Sequence, residues 1–400
     1  MKVLLLSALY PPTVVGGAEK VAQVIAEGLR DAGHEPVVVT TVPEAGVRTT
    51  SVNGVRVHTL GLKNLYWPHG ERPTSPVLKS LWHAVNSYNP WMASAVGEFV
   101  RAERPDVVNT HSLIGFSSSV WPVIAREGVP LVHTIHDYSL MCPKATMYAK
   151  GSNCSGRCAS CALYSQSSKV LSQGVRHVVA VSERALARHV EAGYFAQATT
   201  RRVIHNGLPG TPRPGPHRTP GVPLRLGFVG QLVPAKGIAE LVAVMRQWTG
   251  AECRLVVAGR GAEAYERELR DMAPPNVRLV GFVDPRELYA SIDALVVPSR
   301  WEDPLPTTVI EAYQQGVPVI AARRGGLTEM VEHDRTGYLY EPTAPRALAA
   351  CIEAFLDDPG LPARMAPAIA QKARHFALDR MRADYVEVLA RAVERPLAEV

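Results

Sequence analysis

The chain has 400 residues, 46% of them hydrophobic and 20% charged, with a formal net charge of +6. That balance excludes a disordered or fibrous chain and leaves enough apolar residues for about two or three domains with full cores. The positive charge suits anionic small ligands, an anionic membrane surface or nucleic acid alike, so it selects none of them.

The first twelve residues hold an apolar stretch too short for a signal-peptide core, with no small-residue cleavage site, and Lys2 to Leu6 read as a strand buried on both faces. A proline and glycine loop leads into a helix with Ala18, Val21, Ala22, Ile25 and Leu29 on one face. Gly33 ends that helix, and strands are expected at Val37 to Thr40, Val55 to Leu60, Asp106 to Thr110, Leu131 to Thr134 and Val178 to Val181. With helical stretches between them, these strands describe a doubly wound α/β domain over 1–205.

Residues 206–223 contain six prolines and four glycines with almost nothing apolar to bury, and read as a linker. Strand and helix then alternate again over 224–378. Strands are expected at Leu224 to Val229, Arg254 to Ala258, Val277 to Val280, Ala294 to Val297 and Val317 to Ala321, and a helix near Ile238 to Trp248. A final helix over 379–400 is expected to pack back toward the first domain. No run reaches the ~18 apolar residues of a spanning helix, so the chain is expected in the cytoplasm, at most peripheral at the inner membrane face.

Open parallel sheets bind ligands at the carboxyl ends of their strands, so the strand-to-helix loops carry the chemistry. In the second domain, Gly230 and Gln231 follow a strand and Lys236-Gly237 precede a helix, a setting suited to a diphosphate. Asp303 and Glu311 are separated by seven residues, with Glu302 one step farther. Glu311 also completes a Thr308-x-x-Glu capping-box pattern. Gly259 to Ala264 fits a loose Gly-x-Gly-x-x-Ala nicotinamide pattern, but it follows the second strand of its domain where that fingerprint belongs after the first.

The block from Pro298 to Pro342 resembles the donor-binding segment of family 4 glycosyltransferases of GT-B fold. It carries the acid pair followed by Ala312, the Gly316-Val317-Pro318 strand start and the Gly325-Gly326 loop, and the GQLVPAKG and VGFVD stretches are similar to that family's other donor loops. The resemblance implies two Rossmann-like domains facing across a cleft. It also implies a retaining, metal-independent hexosyl transfer from a nucleotide diphosphate sugar of UDP, GDP or ADP type to a hydroxyl acceptor, in glycan, polysaccharide or glycosylated-metabolite synthesis.

Carried onto this chain, the donor-binding residues are Gly16, Gly17, Gly230, Gln231, Lys236, Val283, Glu311, Gly325, Gly326 and Leu327, with His136, Lys236 and either Glu302 or Asp303 at the chemistry. Glu311 would accept ribose hydroxyls. Glu302, favoured for its reach, or Asp303 would accept those of the sugar. Amides of Gly325, Gly326 and Leu327 with the Lys236 ammonium would meet the diphosphate. Gln231 stands where the family commonly has arginine. In HTIHDYSLMCPK, His136 matches the family's histidine at the donor sugar, while His133 reads as a packed core residue. Asp137 could orient His136, contact the acceptor or cap the next turn.

No cofactor is required for that chemistry and no nucleic-acid partner is implied. A sugar-nucleotide epimerase of the same fold, and an inactive donor-binding partner subunit, are the alternative readings. Four of the six cysteines, Cys142, Cys154, Cys158 and Cys161, are spaced with eleven, three and two residues between them. They are expected to hold a structural zinc, with reduced thiols, disulfides or an iron–sulfur cluster as the other assignments.

Overall fold

The computed structural model of the protein describes residues 1–14, 16–70, 75–215, 219–250 and 252–394. Contacts divide it into two units, one made of 1–147, 154–207 and the chain from 378 onward, the other of 148–153 and 208–377.

In the first unit the chain runs β1 (Lys2–Ser7), α1 (Gly17–Asp31), β2 (Glu35–Val42), β3 (Val47–Val52), β4 (Val55–Gly61), α2 (Pro76–Ser87), α3 (Pro90–Glu103), β5 (Val107–Thr110), α4 (Val120–Arg126) and β6 (Leu131–Ile135). A two-strand hairpin follows, β7 (Tyr148–Ala149) and β8 (Ser152–Asn153), and then α5 (Ala159–Leu171), β9 (His177–Ala180), α6 (Glu183–Glu191) and β10 (Thr200–Val203). The sheet order is β10-β9-β6-β5-β1-β2-β4-β3. It is parallel except for β3, which runs antiparallel to β4.

The central strand explains the architecture. Val3 to Leu6 are fully buried, as a continuous apolar run must be when helices cover both faces of a parallel sheet. α1 lays Val21, Ala22, Ile25 and Leu29 against it, and Gly33 at φ +78 turns the chain into β2. β3 was not expected because five of its six residues are exposed and polar or isolated, so it shows no alternating pattern.

The second unit is built from β11 (Leu224–Val229), α7 (Ile238–Val244), β12 (Cys253–Ala258), α8 (Glu263–Met272), β13 (Val277–Gly281), α9 (Pro285–Ser291), β14 (Ala294–Val297), α10 (Thr307–Gln314), β15 (Val319–Ala322), α11 (Leu327–Met330), β16 (Gly337–Tyr340), α12 (Ala347–Asp357) and α13 (Leu361–His375). Its sheet, β13-β12-β11-β14-β15-β16, is entirely parallel.

Two segments depart from the boundaries read in the sequence. The hairpin of β7 and β8, placed by sequence in the first domain, makes its contacts in the second unit. The proline-rich stretch is not slack where it is described. Arg213 N–H donates to Gln314 O at 2.9 Å, and the Gln314 side chain donates to Leu208 O at 2.9 Å, so 208–215 lies along the end of α10. Its residues 216–218 lie outside the described residues.

After α13 the chain enters α14 (Leu378–Glu394), which belongs to the first unit. Met381, Tyr385, Val388 and Leu389 join its core beside Val3, Val21 and Ile25. The last residues of the expected helix, 395–400, lie outside the described residues.

Candidate active site

The second unit gathers its motif residues where the carboxyl ends of β11, β12 and β14 open into loops, and glycines let those loops touch backbone to backbone. A Cβ on Gly259 would come 1.8 Å from Gly230 O, one on Gly261 2.1 Å from Leu232 O, and one on Gly237 2.0 Å from Pro298 O. Gly259 and Gly261 are therefore packing residues, which accounts for the nicotinamide-like pattern without a dinucleotide.

Lys236 lies at the end of a short 3-10 turn before α7. Its ammonium pairs with the Asp303 carboxylate and lies over the Trp301 ring, 5.5 Å from the centroid. Arg300 N–H donates to Ala235 O at 2.8 Å, which ties the two loops together beside the pair. Asp303 is buried and Glu302 half-buried.

The paired glycines meet the same loop. A Cβ on Gly325 (φ +52) would stand 2.3 Å from Asp303 O, and one on Gly326 1.8 Å from Pro304 O. Two amides expected to hold phosphate are engaged within the chain instead. Gly326 N–H donates to Asp303 O at 2.8 Å and Leu327 N–H to Arg324 O at 3.2 Å. The glycine pair thus shapes the loop that carries Asp303, the partner of Lys236.

Glu311 lies in α10 and accepts a 2.9 Å hydrogen bond from the buried Tyr289 hydroxyl. Burial, together with the Glu311 charge, pushes the tyrosine well above its ordinary value, so it stays a donor. The capping box is not formed. α10 starts at Thr307 behind Pro306 with no side-chain cap, leaving Glu311 too deep in the helix for that role. Gln231 is exposed, while Gly230 and Val283, just beyond β13, are half-buried.

In the first unit, Gly16 N–H donates to the Glu19 carboxylate at 2.9 Å, which satisfies one open amide of α1, and Gly17 is the first helical residue. His136 follows β6, and its Nε2 stands 2.8 Å from His111 Nδ1. Burial lowers His136 to about 4. Asp137 accepts from Ser139 N–H at 2.7 Å, so of its expected tasks the turn cap is the one formed here, and burial raises its carboxyl. His133 is a core residue as read, bonded to Thr110 Oγ1 at 2.9 Å and packed on Trp121 and Phe195.

Three residues that shape these loops gave no motif signal in the sequence: His111, Tyr289 and Asn153. The Asn153 carboxamide, at the end of β8, donates to Arg300 O at 2.8 Å and accepts from Glu302 N–H at 3.0 Å. The hairpin thereby fixes the backbone on which both acids sit.

The four cysteines expected to hold a structural zinc neighbour one another: burial and the Cys158 and Cys142 thiols push the Cys161 thiol up, and burial with the Cys142 and Cys158 thiols raises Cys154. Among the described residues no group of three or more His, Cys, Asp or Glu is arranged to hold a metal ion. Cys142, Cys154, Cys158 and Cys161 are free thiols. Cys142 and Cys161 are buried, whereas Cys158 is exposed at the start of α5 and turned to Ser160 Oγ at 3.3 Å.

Comparison with known proteins places the chain in a family. Residues 16–207 match the model of the glycosyl transferase 4-like domain, and residues 215–372 that of the glycosyl transferases group 1. An uncharacterized 42.6 kDa protein in the cps region of Klebsiella pneumoniae is 30% identical over 82% of this chain and 87% of its own. A D-inositol 3-phosphate glycosyltransferase of Xylanimonas cellulosilytica is 30% identical over 72% of this chain and 73% of its own.

Among solved structures, sucrose-phosphate synthase from Thermosynechococcus elongatus superposes with a TM-score of 0.75 at 20% identity, covering 98% of each chain. Anabaena HepE in complex with UDP-glucose gives 0.69 at 20% identity, covering 98% of this chain and 100% of that one. The protein is a glycosyltransferase of the GT4 type with the GT-B fold, two Rossmann-like units in one chain. No described helix is long and apolar enough to cross a membrane.

Proposed function

We propose that this protein transfers a hexosyl unit from a nucleotide diphosphate sugar to an acceptor hydroxyl, with retention of anomeric configuration and without a divalent cation. The observation that carries the reading is the Lys236 ammonium. It is held in advance by Asp303 and Trp301 at the loop ends of the second unit's sheet. A cation fixed before the ligand arrives stabilises charge that develops on a departing diphosphate without reorganising during the reaction.

In the same unit, Glu311 is aimed by Tyr289 and can accept the two ribose hydroxyls, and Asp303 can accept hydroxyls of the sugar while sharing Lys236. The leaving diphosphate then takes the acceptor's proton on the face it vacates, which gives retention with no enzymic nucleophile. UDP-glucose in HepE supports a nucleotide sugar as the donor class. Synthesis of a glycan, polysaccharide or glycosylated metabolite is the setting proposed, with the acceptor handled by the first unit near His136 and Asp137.

Thermal shift against a panel of UDP, GDP and ADP sugars tests the donor assignment. One donor should raise the melting temperature of the wild type, and Lys236→Ala or Glu311→Ala should lower transfer by at least ~10²-fold. Near-normal turnover in either variant refutes it.

A further inference from the structure

Two histidines from neighbouring strand ends of the first unit meet ring to ring. β5 and β6 are paired with Thr110 opposite His133. His111 follows β5, anchored by its N–H to Leu6 O at 2.8 Å, and His136 follows β6. His111 Nδ1 and His136 Nε2 are 2.8 Å apart, with ring centroids 5.1 Å apart and planes inclined by 24°. His111 is buried, and its Nε2 has no hydrogen-bond partner.

Burial holds both imidazoles below their ordinary range, so each ring is neutral near pH 7 and one proton lies in the bond between them. That proton can sit on either nitrogen, and the two placements differ in what they strand. With the proton on His136 Nε2, His111 must carry its own on Nε2, a buried N–H with no acceptor. With the proton on His111 Nδ1, only a lone pair is left unpaired there. Orphaned buried N–H groups are the rarer defect in folded proteins.

We propose that His111 is a positioning residue that donates its Nδ1–H to His136 Nε2 and so fixes His136 as the tautomer carrying its proton on Nδ1. His136 then offers a bound sugar or phosphate a neutral N–H donor at a set angle, and is neither a cation nor a proton acceptor on that edge. The use of that N–H in donor handling rests on the transferase reading above, whereas the tautomer does not.

Nitrogen NMR of the full-length protein labelled in its histidine rings tests this at pH 7.5, with His136 assigned by the loss of its signals in His136→Gln. The expected result is a protonated, pyrrole-type Nδ1 and an unprotonated, pyridine-type Nε2. His111→Leu should shift His136 toward an Nε2–H or mixed pattern, and His111→Asn, whose amide nitrogen takes the place of Nδ1, should keep it. Transfer kcat/KM should fall about tenfold in His111→Leu and return to within about threefold in His111→Asn, the scale seen when an orienting partner is lost.

A wild-type His136 protonated on Nε2 overturns the proposal, as does a spectrum left unchanged by His111→Leu, while a turnover left unchanged by that variant overturns the use of the N–H in donor handling. Should both variants unfold, the wild-type spectrum alone decides. Should His136→Gln transfer sugar like the wild type, the donor-handling role of His136 fails while the tautomer stands or falls on its spectrum.

Discussion

Lys236 and Asp303 form an ion pair whose ammonium also lies over the Trp301 ring. The carboxylate is buried while the lysine keeps one partly open side. A ligand phosphate can therefore add to the ammonium without displacing Asp303. The pair presets the position of the cation.

This separates the two acids by experiment. Asp303→Asn should lower transfer kcat/KM by about 10²-fold, because the cation loses its fixed position. Glu302→Gln should lower it by less than about tenfold. Steady-state kinetics with a saturating acceptor check both, and the reverse ranking would reassign the first acid of the donor motif.

Tyr289→Phe removes one hydrogen bond to a carboxylate, a loss of about 1.5–3 kcal/mol when the bond is fully formed. The donor KM should rise about tenfold with kcat changed much less, since ribose contacts are the same in ground and transition states. Titration calorimetry with the nucleoside diphosphate should show the same loss. An unchanged dissociation constant would detach Glu311 from the nucleotide.

Gly326→Ala places a methyl group 1.8 Å from Pro304 O and should destabilise the protein by about 1–3 kcal/mol while impairing donor use. Gly16→Ala meets only Glu19 Oε2, at an ordinary 3.6 Å, and should leave the denaturation midpoint unchanged. Urea unfolding of the pair is the check.

Burial keeps five histidines of the first unit below the ordinary value of 6.5, His136 and His189 at about 4, His111 and His133 well down, and His34 lowered as well. As pH falls, the unfolded chain takes up these protons before the folded one does. The stability gained by keeping the rings neutral is complete above about pH 7 and is lost as pH drops from 6.5 toward 4. Each of the first four steepens the fall by about 1.4 kcal/mol per pH unit within that window. Denaturant midpoints at pH 7.5, 6.0 and 5.0 should decline accordingly, and a flat profile would contradict the burial.

Both parallel sheets are legible in the sequence because their strands are continuous apolar runs, such as Val3 to Leu6 and Leu295 to Val297, that only burial on two faces explains. β3 escapes because an exposed edge strand has no apolar face to read. The donor block is legible because its spacing is local: Asp303 in the loop after β14, Glu311 in the α10 helix that follows it, and Gly325-Gly326 just after β15. His111, Tyr289 and Asn153 act through contacts with residues 25, 22 and 149 positions away, the last with Glu302, and no local pattern encodes such pairings. Cysteine spacing made the proximity of Cys158 and Cys161 legible, whereas the approach of Cys142 to Cys161 from nineteen positions away was not a local pattern.

Proton NMR of the reaction with the responsive nucleotide sugar, run in the presence of a chelator, tests the central claim most directly. The donor's anomeric signal should disappear as free nucleoside diphosphate and a new glycoside of the same anomeric configuration appear. An isomerised nucleotide sugar with no diphosphate released, or a glycoside of inverted configuration, would contradict it.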